Sequence, residues 1–300
     1  MLSGEKILVT GGAGRVAFPI ARELAKRNEV WAMARFSNPA DAERLREHGI
    51  TPIKRDLAEG FDGVPEDFTY VWHAGALVGG EAERDWRYTF EVNAQATGRL
   101  MKHCRAVKGF LHCSTGSQYH YQGHRPLKES DPPGIHTHIY SLSKIAAEAV
   151  VLYASREWDI PTTMIRICSA YGPEGGAPVS RLDALVEGRP IKLHPDKPNY
   201  FNPIHEDDQV ELGIKALELA STPLLIVNWA GSETTTAEEY CAYMGSLIGK
   251  DPIIEYTDEA YTPLWPDVTY MHEVLGRTKV HWKDGLRRVI EVRYPDLLKG

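Results

Sequence analysis

The sequence predicts an α/β protein: a doubly wound parallel sheet covered by helices on both faces, with a smaller C-terminal lobe. Three observations carry this expectation. Short β-branched runs alternate with helical stretches through the first two thirds of the chain, the pattern of strand–crossover–strand units. A glycine cluster, Thr10-Gly11-Gly12-Ala13-Gly14-Arg15-Val16-Ala17, lies between the first run and the first helical stretch. After Tyr171 the texture changes to Gly and Pro punctuation, which marks the start of a second lobe.

Taken in order, Lys6 to Thr10 (KILVT) is the first strand and Val16 to Arg27 its helix. Val30 to Ala34 and Asp41 to Glu47 form the next pair, and a third strand precedes Arg55-Asp56-Leu57. Tyr70 to His73, Phe110 to Cys113 and Thr162 to Ile167 read as further strands, separated by helices at Trp86 to Arg105 and Ser141 to Trp158. Within Trp86 to Arg105, Val92, Ala96, Leu100 and Cys104 recur every four residues, giving a small apolar helix face. Asp207 to Ala220 looks helical and Leu224 to Asn228 looks like a buried strand, so the chain returns to the sheet before finishing its second lobe. The expected division is therefore 1–170 with 204–230 in the sheet domain, and 171–203 with 231–300 in the second lobe.

Composition narrows the function classes. A chain of 300 residues can bury its own core without disulfide staples. Lys and Arg total 34 against 41 Asp and Glu, a net charge of 34 − 41 = −7, which repels phosphate backbones and anionic lipid surfaces. Neither nucleic acid nor membrane is an expected partner. There is no run of ~18 apolar residues to span a bilayer, and Met1 to Thr10 lacks the apolar core of a secretory signal. Cysteines 104, 113, 168 and 241 show no metal-ligand spacing and read as reduced thiols of a cytoplasmic protein. No metal is expected.

The chemistry begins at the glycine cluster. Gly11 permits a tight turn, Gly12 and Gly14 let backbone N–H groups approach a pyrophosphate, and the following helix N-terminus adds positive potential. With Ala13, Arg15 and Val16 this is a candidate dinucleotide loop of Rossmann type. The second strand ends Ala34-Arg35-Phe36 with no carboxylate. Arg35 is thus a candidate partner for a 2′-phosphate, which favours NADP over NAD, or else a solvated surface arginine. Asp56, beside Leu57, either accepts from the adenine amino group or makes a local turn. His73-Ala74-Gly75 leaves room for a cofactor where the strand order reverses, with His73 itself read as a packed histidine.

Of the 14 tyrosines, only Tyr140 has a lysine four residues later. On a helix Tyr140 and Lys144 share a face, so the ammonium can lower the phenol pKa from ~10 toward the working pH. Upstream, the fifth strand ends Cys113-Ser114-Thr115-Gly116-Ser117. A hydroxyl there faces the cofactor crevice and can hold a substrate oxygen. Histidines 120, 124, 136 and 138 lie between Thr115 and Tyr140, but without carboxylate or cysteine partners they make a weak zinc signal and a better candidate for substrate contact or loop polarity.

These motifs together resemble the extended short-chain dehydrogenase/reductase family, also called the NAD-dependent epimerase/dehydratase family. The resemblance runs over nearly the whole chain, through TGGAGRVA at 10–17, HAGA at 73–76, STGSQY at 114–119, YSLSK at 140–144, Arg166, YGP at 171–173 and NPIHEDD at 202–208. It implies that Tyr140 moves the hydroxyl proton, Lys144 holds the nicotinamide ribose and tunes the tyrosine, and Thr115, with Ser114 as fallback, orients the carbonyl. Asn93 would organise backbone. It also implies a homodimer built on the two long helices, with the small face of the first allowing close approach. Two departures bear on substrate. Phe201 stands where nucleotide-sugar enzymes carry a diphosphate-binding arginine, and Gly116-Ser117 replace the Asp-Glu of the dehydratases. The expectation is an NAD(P)-dependent oxidoreductase interconverting a carbonyl and a secondary alcohol on a small-molecule or sugar-like substrate, with Ser114, Ser117, His205 and Arg181 as candidate substrate contacts. Weak binding of nucleotide-diphosphate sugars follows unless Arg181 or Arg189 replaces the missing charge. The competing expectations are a sugar or nucleotide-sugar epimerase and, less favoured, a non-catalytic nucleotide sensor.

Overall fold

The computed structural model describes residues 2–134 and 138–298. In chain order it contains β1 (Lys6–Thr10), α1 (Ala17–Ala25), β2 (Glu29–Ala34), α2 (Pro39–Glu47), β3 (Thr51–Lys54), β4 (Tyr70–His73), α3 (Gly79–Ala82), α4 (Trp86–Phe90), a π turn (Glu91–Gln95), α5 (Ala96–His103), β5 (Gly109–Thr115), α6 (Ile139–Glu157) and β6 (Thr162–Ile167). There follow β7 (Ala170–Tyr171), α7 (Ala177–Glu187), β8 (Ile191–Leu193), β9 (Tyr200–Phe201), β10 (Ile204–His205), α8 (Glu206–Glu218), β11 (Leu225–Trp229), β12 (Thr235–Thr236), α9 (Ala237–Ile248), β13 (Ile254–Tyr256), α10 (Thr269–Val274) and α11 (Trp282–Arg293).

Contacts divide the chain into two units. The first comprises Met1–Gln118, Pro133–Arg166 and Val210–Val227. Its sheet has the order β11-β6-β5-β4-β1-β2-β3, and β1 pairs in parallel with both β2 and β4. The order therefore reverses beside β1, which opens a crevice at the carboxyl ends of β1 and β4, the usual ligand position in such sheets. Strands covered by helices on both faces read as continuous apolar runs, and all seven residues of β5 are buried. One face packs Phe68, Val71, Leu100, Met101, Phe110 and Met164 into a single core cluster.

The expected helix from 86 to 105 is interrupted by the π turn. Its small face is covered within the chain itself: Val92, Ala96, Leu100 and Cys104 all lie in the core, because the apolar repeat faces the sheet. Close approach is instead intramolecular, since a Cβ on Gly98 of α5 would stand 2.8 Å from Val150 Cγ1 on α6.

The second unit comprises Tyr119–Pro132, Ile167–Gln209 and Asn228–Gly300. It holds three two-stranded pairs, β7 with β10, β9 with β12, and β8 with β13. Helices α7, α9 and α11 close over Leu182, Tyr240, Met244, Leu286 and Ile290. Among the described residues no helix is long and apolar enough to cross a membrane.

Candidate active site

The glycine loop leaves β1 with Gly11 at a φ of 68°, a left-handed conformation that favours glycine. A Cβ on Gly11 would lie 2.9 Å from the Gly75 nitrogen, and one on Gly12 2.6 Å from the Ala32 Cβ. The loop is therefore a cradle closed to side chains, packed directly against the strand end carrying Ala74 and Gly75. Helix α1 opens with no acidic residue in its first turn, so its N-terminal potential is left for an anion. These features fit a dinucleotide pyrophosphate.

His73 is buried between two threonines. Thr97 gives its hydroxyl proton to the Asn93 carbonyl at 2.9 Å, so it accepts from His73 Nε2 at 2.9 Å. Thr10 Oγ1 accepts from the Gly75 N–H at 3.0 Å and donates to His73 Nδ1 at 2.7 Å. Burial, with Lys144 nearby, pushes the imidazole pKa down to about 3. His73 is a neutral brace that joins β1 to β4.

The candidate catalytic residues come from β5 and α6. Helix α6 begins at Ile139, so Tyr140 lies in its first turn and Lys144 one turn later. The Lys144 ammonium is buried and donates to the Cys113 carbonyl at 2.8 Å and to His112 Nε2 at 3.3 Å. Burial lowers its pKa to about 8, with Cys113 and Glu148 opposing. Thr115 ends β5; its hydroxyl accepts from the Ser117 N–H at 3.1 Å and lies 3.0 Å from Ser117 Oγ. Ser141 Oγ donates to the Ser117 carbonyl at 3.3 Å, tying α6 to this turn. Arg15 of the glycine loop lies within electrostatic reach of the Tyr140 phenol, which opposes the lowering of the arginine pKa by burial. The glycine loop, β5 end and start of α6 thus converge within one unit.

Ser114, the fallback for Thr115, is committed elsewhere: its hydroxyl donates to Glu148 Oε1 at 2.6 Å. Glu148 also receives the Arg166 guanidinium at 3.0 and 2.7 Å and the Gln118 amide. Sequence reasoning passed over Glu148, although it falls four residues after Lys144 on the stripe that begins at Tyr140. It also passed over Glu83, which accepts from the Ile139 and Tyr140 N–H groups at 3.1 and 3.2 Å and so caps α6. Asn93 bonds Leu77 through both backbone groups and Ser143 through its amide, organising backbone as expected.

Asp56 makes the local turn, accepting from the Ala58 N–H at 2.9 Å, and its other oxygen accepts from Tyr88. Leu57 follows in that turn. Arg35 meets a carboxylate after all: its Nη1 is 2.7 Å from Glu81 Oε1. That bond raises the arginine pKa and lowers that of Glu81.

In the second unit, Arg181 stands over the Phe201 ring, 4.7 Å from its centroid, and bonds the Tyr240 hydroxyl. Arg189 pairs with Glu187. His205 is buried edge-on to Tyr171 at 5.4 Å, and its Nδ1 accepts from the Asp207 N–H. His124 pairs with Asp196 at 3.2 Å, whereas His136 lies outside the described residues. Among the described residues no group of histidines, cysteines and carboxylates could hold a metal ion.

Comparison with known proteins agrees with this architecture. The UDP-glucuronate 4-epimerase 1 of Arabidopsis thaliana is 27% identical over 221 residues, 65% of this chain, and this chain covers 50% of its length in that match. The chain thus spans about half of that relative. Among solved structures, the UDP-glucuronic acid 4-epimerase of Bacillus cereus in complex with UDP-glucuronic acid and NAD superposes with a TM-score of 0.83 at 20% identity, covering 96% of this chain and 99% of that one. The UDP-N-acetylglucosamine 4-epimerase of Methanobrevibacter ruminantium reaches 0.84 at 17% identity, covering 98% and 99%. A profile for the NAD dependent epimerase/dehydratase family matches residues 7–224, and the chain belongs to that family.

Proposed function

We propose that this protein is an NAD-dependent enzyme that moves hydride at a carbon bearing a hydroxyl or carbonyl group, with Tyr140 as the proton-transferring acid or base. The observation that carries the reading is the buried Lys144, held at the end of β5 two residues before Thr115 and one helical turn after Tyr140. When bound, the dinucleotide supplies the hydride acceptor and donor. Tyr140 takes the hydroxyl proton during oxidation and returns it during reduction. Lys144, one helical turn along α6 from Tyr140, keeps a positive charge on the same stripe and is the candidate ribose ligand, while the Thr115 hydroxyl orients the substrate oxygen. Gly11, Gly12, Ala13, Gly14 and Val16 would hold the pyrophosphate. NAD is favoured over the NADP that Arg35 alone suggests, because Glu81 already occupies that guanidinium.

Tyr140→Phe tests the reading. The expected result is a loss of turnover of about 10²–10⁴-fold with nearly unchanged dinucleotide affinity, since the phenol acts in the transition state. Wild-type turnover in that variant would end the assignment.

A second reading, epimerisation of a nucleotide sugar, is favoured by Arg181. Its guanidinium lies over Phe201, so a cation stands beside the position where the diphosphate arginine is missing. Titration with UDP separates the two: micromolar affinity lost in Arg181→Met supports the epimerase, and absence of binding supports a smaller, less anionic substrate. For assembly we retain a homodimer, now through the outward faces of α4 and α6. Trp86 is 57% and Tyr153 62% exposed there, and Leu142 and Leu152 of α6 are exposed as well. Sedimentation that gives a monomer at all concentrations would exclude it.

A further inference from the structure

The second strand ends without an acidic residue, yet the folded chain brings one to its end. We propose that Glu81 sets the preference for NAD over NADP, by holding Arg35 in a neutral pair at the adenosine-ribose end of the dinucleotide site. This rests on the reading that the glycine loop binds a nicotinamide dinucleotide.

Arg35 follows β2, the position from which a side chain reaches the adenosine ribose in this class of sheet. Alone, its guanidinium would attract a 2′-phosphate. Two groups from other elements enclose it instead. Glu81, from α3 after β4, holds Nη1 at 2.7 Å. Tyr88, from α4, stands against the same guanidinium and gives its proton to Asp56. Arg84 also faces Glu81, and Asp56 faces it from the end of β3. Two cations and two carboxylates therefore share the site, and their charges cancel.

That neutrality discriminates. A 2′-phosphate brings about two negative charges and would have to part Arg35 from Glu81 and then remain beside a carboxylate. A 2′-hydroxyl can donate to Glu81 and accept from Arg35 without disturbing either. The carboxylate cannot easily retreat, because Glu83, two residues on, is fixed to the Ile139 and Tyr140 N–H groups at the start of α6. Arg35 and Glu81 are 42% and 44% exposed, so solvent and salt weaken the effect without removing it.

The test is the equilibrium binding of NADH and NADPH, read by protein fluorescence without turnover, to the wild-type protein, Glu81→Gln and Glu81→Gln/Arg35→Ala. The wild type is expected to bind NADH at least about tenfold more tightly than NADPH. Glu81→Gln should tighten NADPH by about tenfold while NADH changes by less than about threefold, and Arg35→Ala in that background should reverse the gain. Added salt should shrink the Glu81→Gln gain. A wild type that prefers NADPH, or a Glu81→Gln variant whose ratio does not move, overturns the proposal while leaving the dinucleotide reading intact. A folded wild type that binds neither nucleotide overturns both.

Discussion

Lys144 gives the most quantitative prediction, because its charge is held in the interior. Burial lowers its pKa from 10.5 to about 8. Below pH 8 the lysine is charged in both folded and unfolded chains, and the fold bears the full penalty of the buried ammonium. Between the two values the unfolded chain binds more protons, so stability rises with pH. At about 1.4 kcal/mol per pH unit of separation, the penalty is about 3 kcal/mol at pH 7, and about 2–3 kcal/mol of it is relieved by pH 10. The perturbation is Lys144→Met, which removes the titration and keeps the bulk. The assay is urea unfolding of both proteins, without added dinucleotide, at pH 7 and pH 10. Groups that the Lys144 charge does not influence cancel in the difference, as do the bonds to Cys113 and His112 lost at both pH values. The stability of the wild type relative to the methionine variant should therefore rise by about 2–3 kcal/mol over that interval. Parallel pH profiles, agreeing within about 0.5 kcal/mol, would refute the argument.

Two further predictions concern packing inside each unit. Arg166→Met strands the buried Glu148 carboxylate and should cost about 3–5 kcal/mol, whereas the Arg166→Met/Glu148→Met double variant should regain a large part of it; additive losses in the two single variants would contradict this. A Cβ on Gly285 of α11 would collide with the Tyr171 hydroxyl, a buried group with no hydrogen-bond partner among the described residues. Gly285→Ala should cost about 1–3 kcal/mol, and Tyr171→Phe in the same chain should restore much of it; thermal denaturation showing no rescue would sink that reading.

Most of the first unit's sheet was legible because strands such as KILVT and YVWH are largely apolar runs flanked by glycine or helical periodicity, whereas β3, TPIK, has no such run. The second unit was not. Strands β7, β9, β10 and β12 are two residues long, too short for any period to register. The same contrast holds at the site. Tyr140, Lys144 and the glycines announce themselves by spacing along one element, and the helix at 141 needed only to begin two residues earlier. Glu81 and Glu83 carry no such signal, because they act on Arg35 and on the start of α6 across the fold. Ser114 and Thr115 are adjacent hydroxyls, and the alternation of a strand sends one toward Glu148 and the other toward Ser117.

The π turn at Glu91–Gln95 has a consequence for the phase of its helix. A repeat of four residues outruns an α-helical turn of 3.6, so its members rotate about the axis by about 40° each time, or about 120° from first to last across three steps. On an unbroken α-helix, Val92 and Cys104 would therefore point to different neighbours. The wider turn slows the rotation over the first step, and all four apolar residues end in the core. The apparent irregularity acts as a phase corrector, and a sequence that looks slightly mistimed for an α-helix is in time with this one.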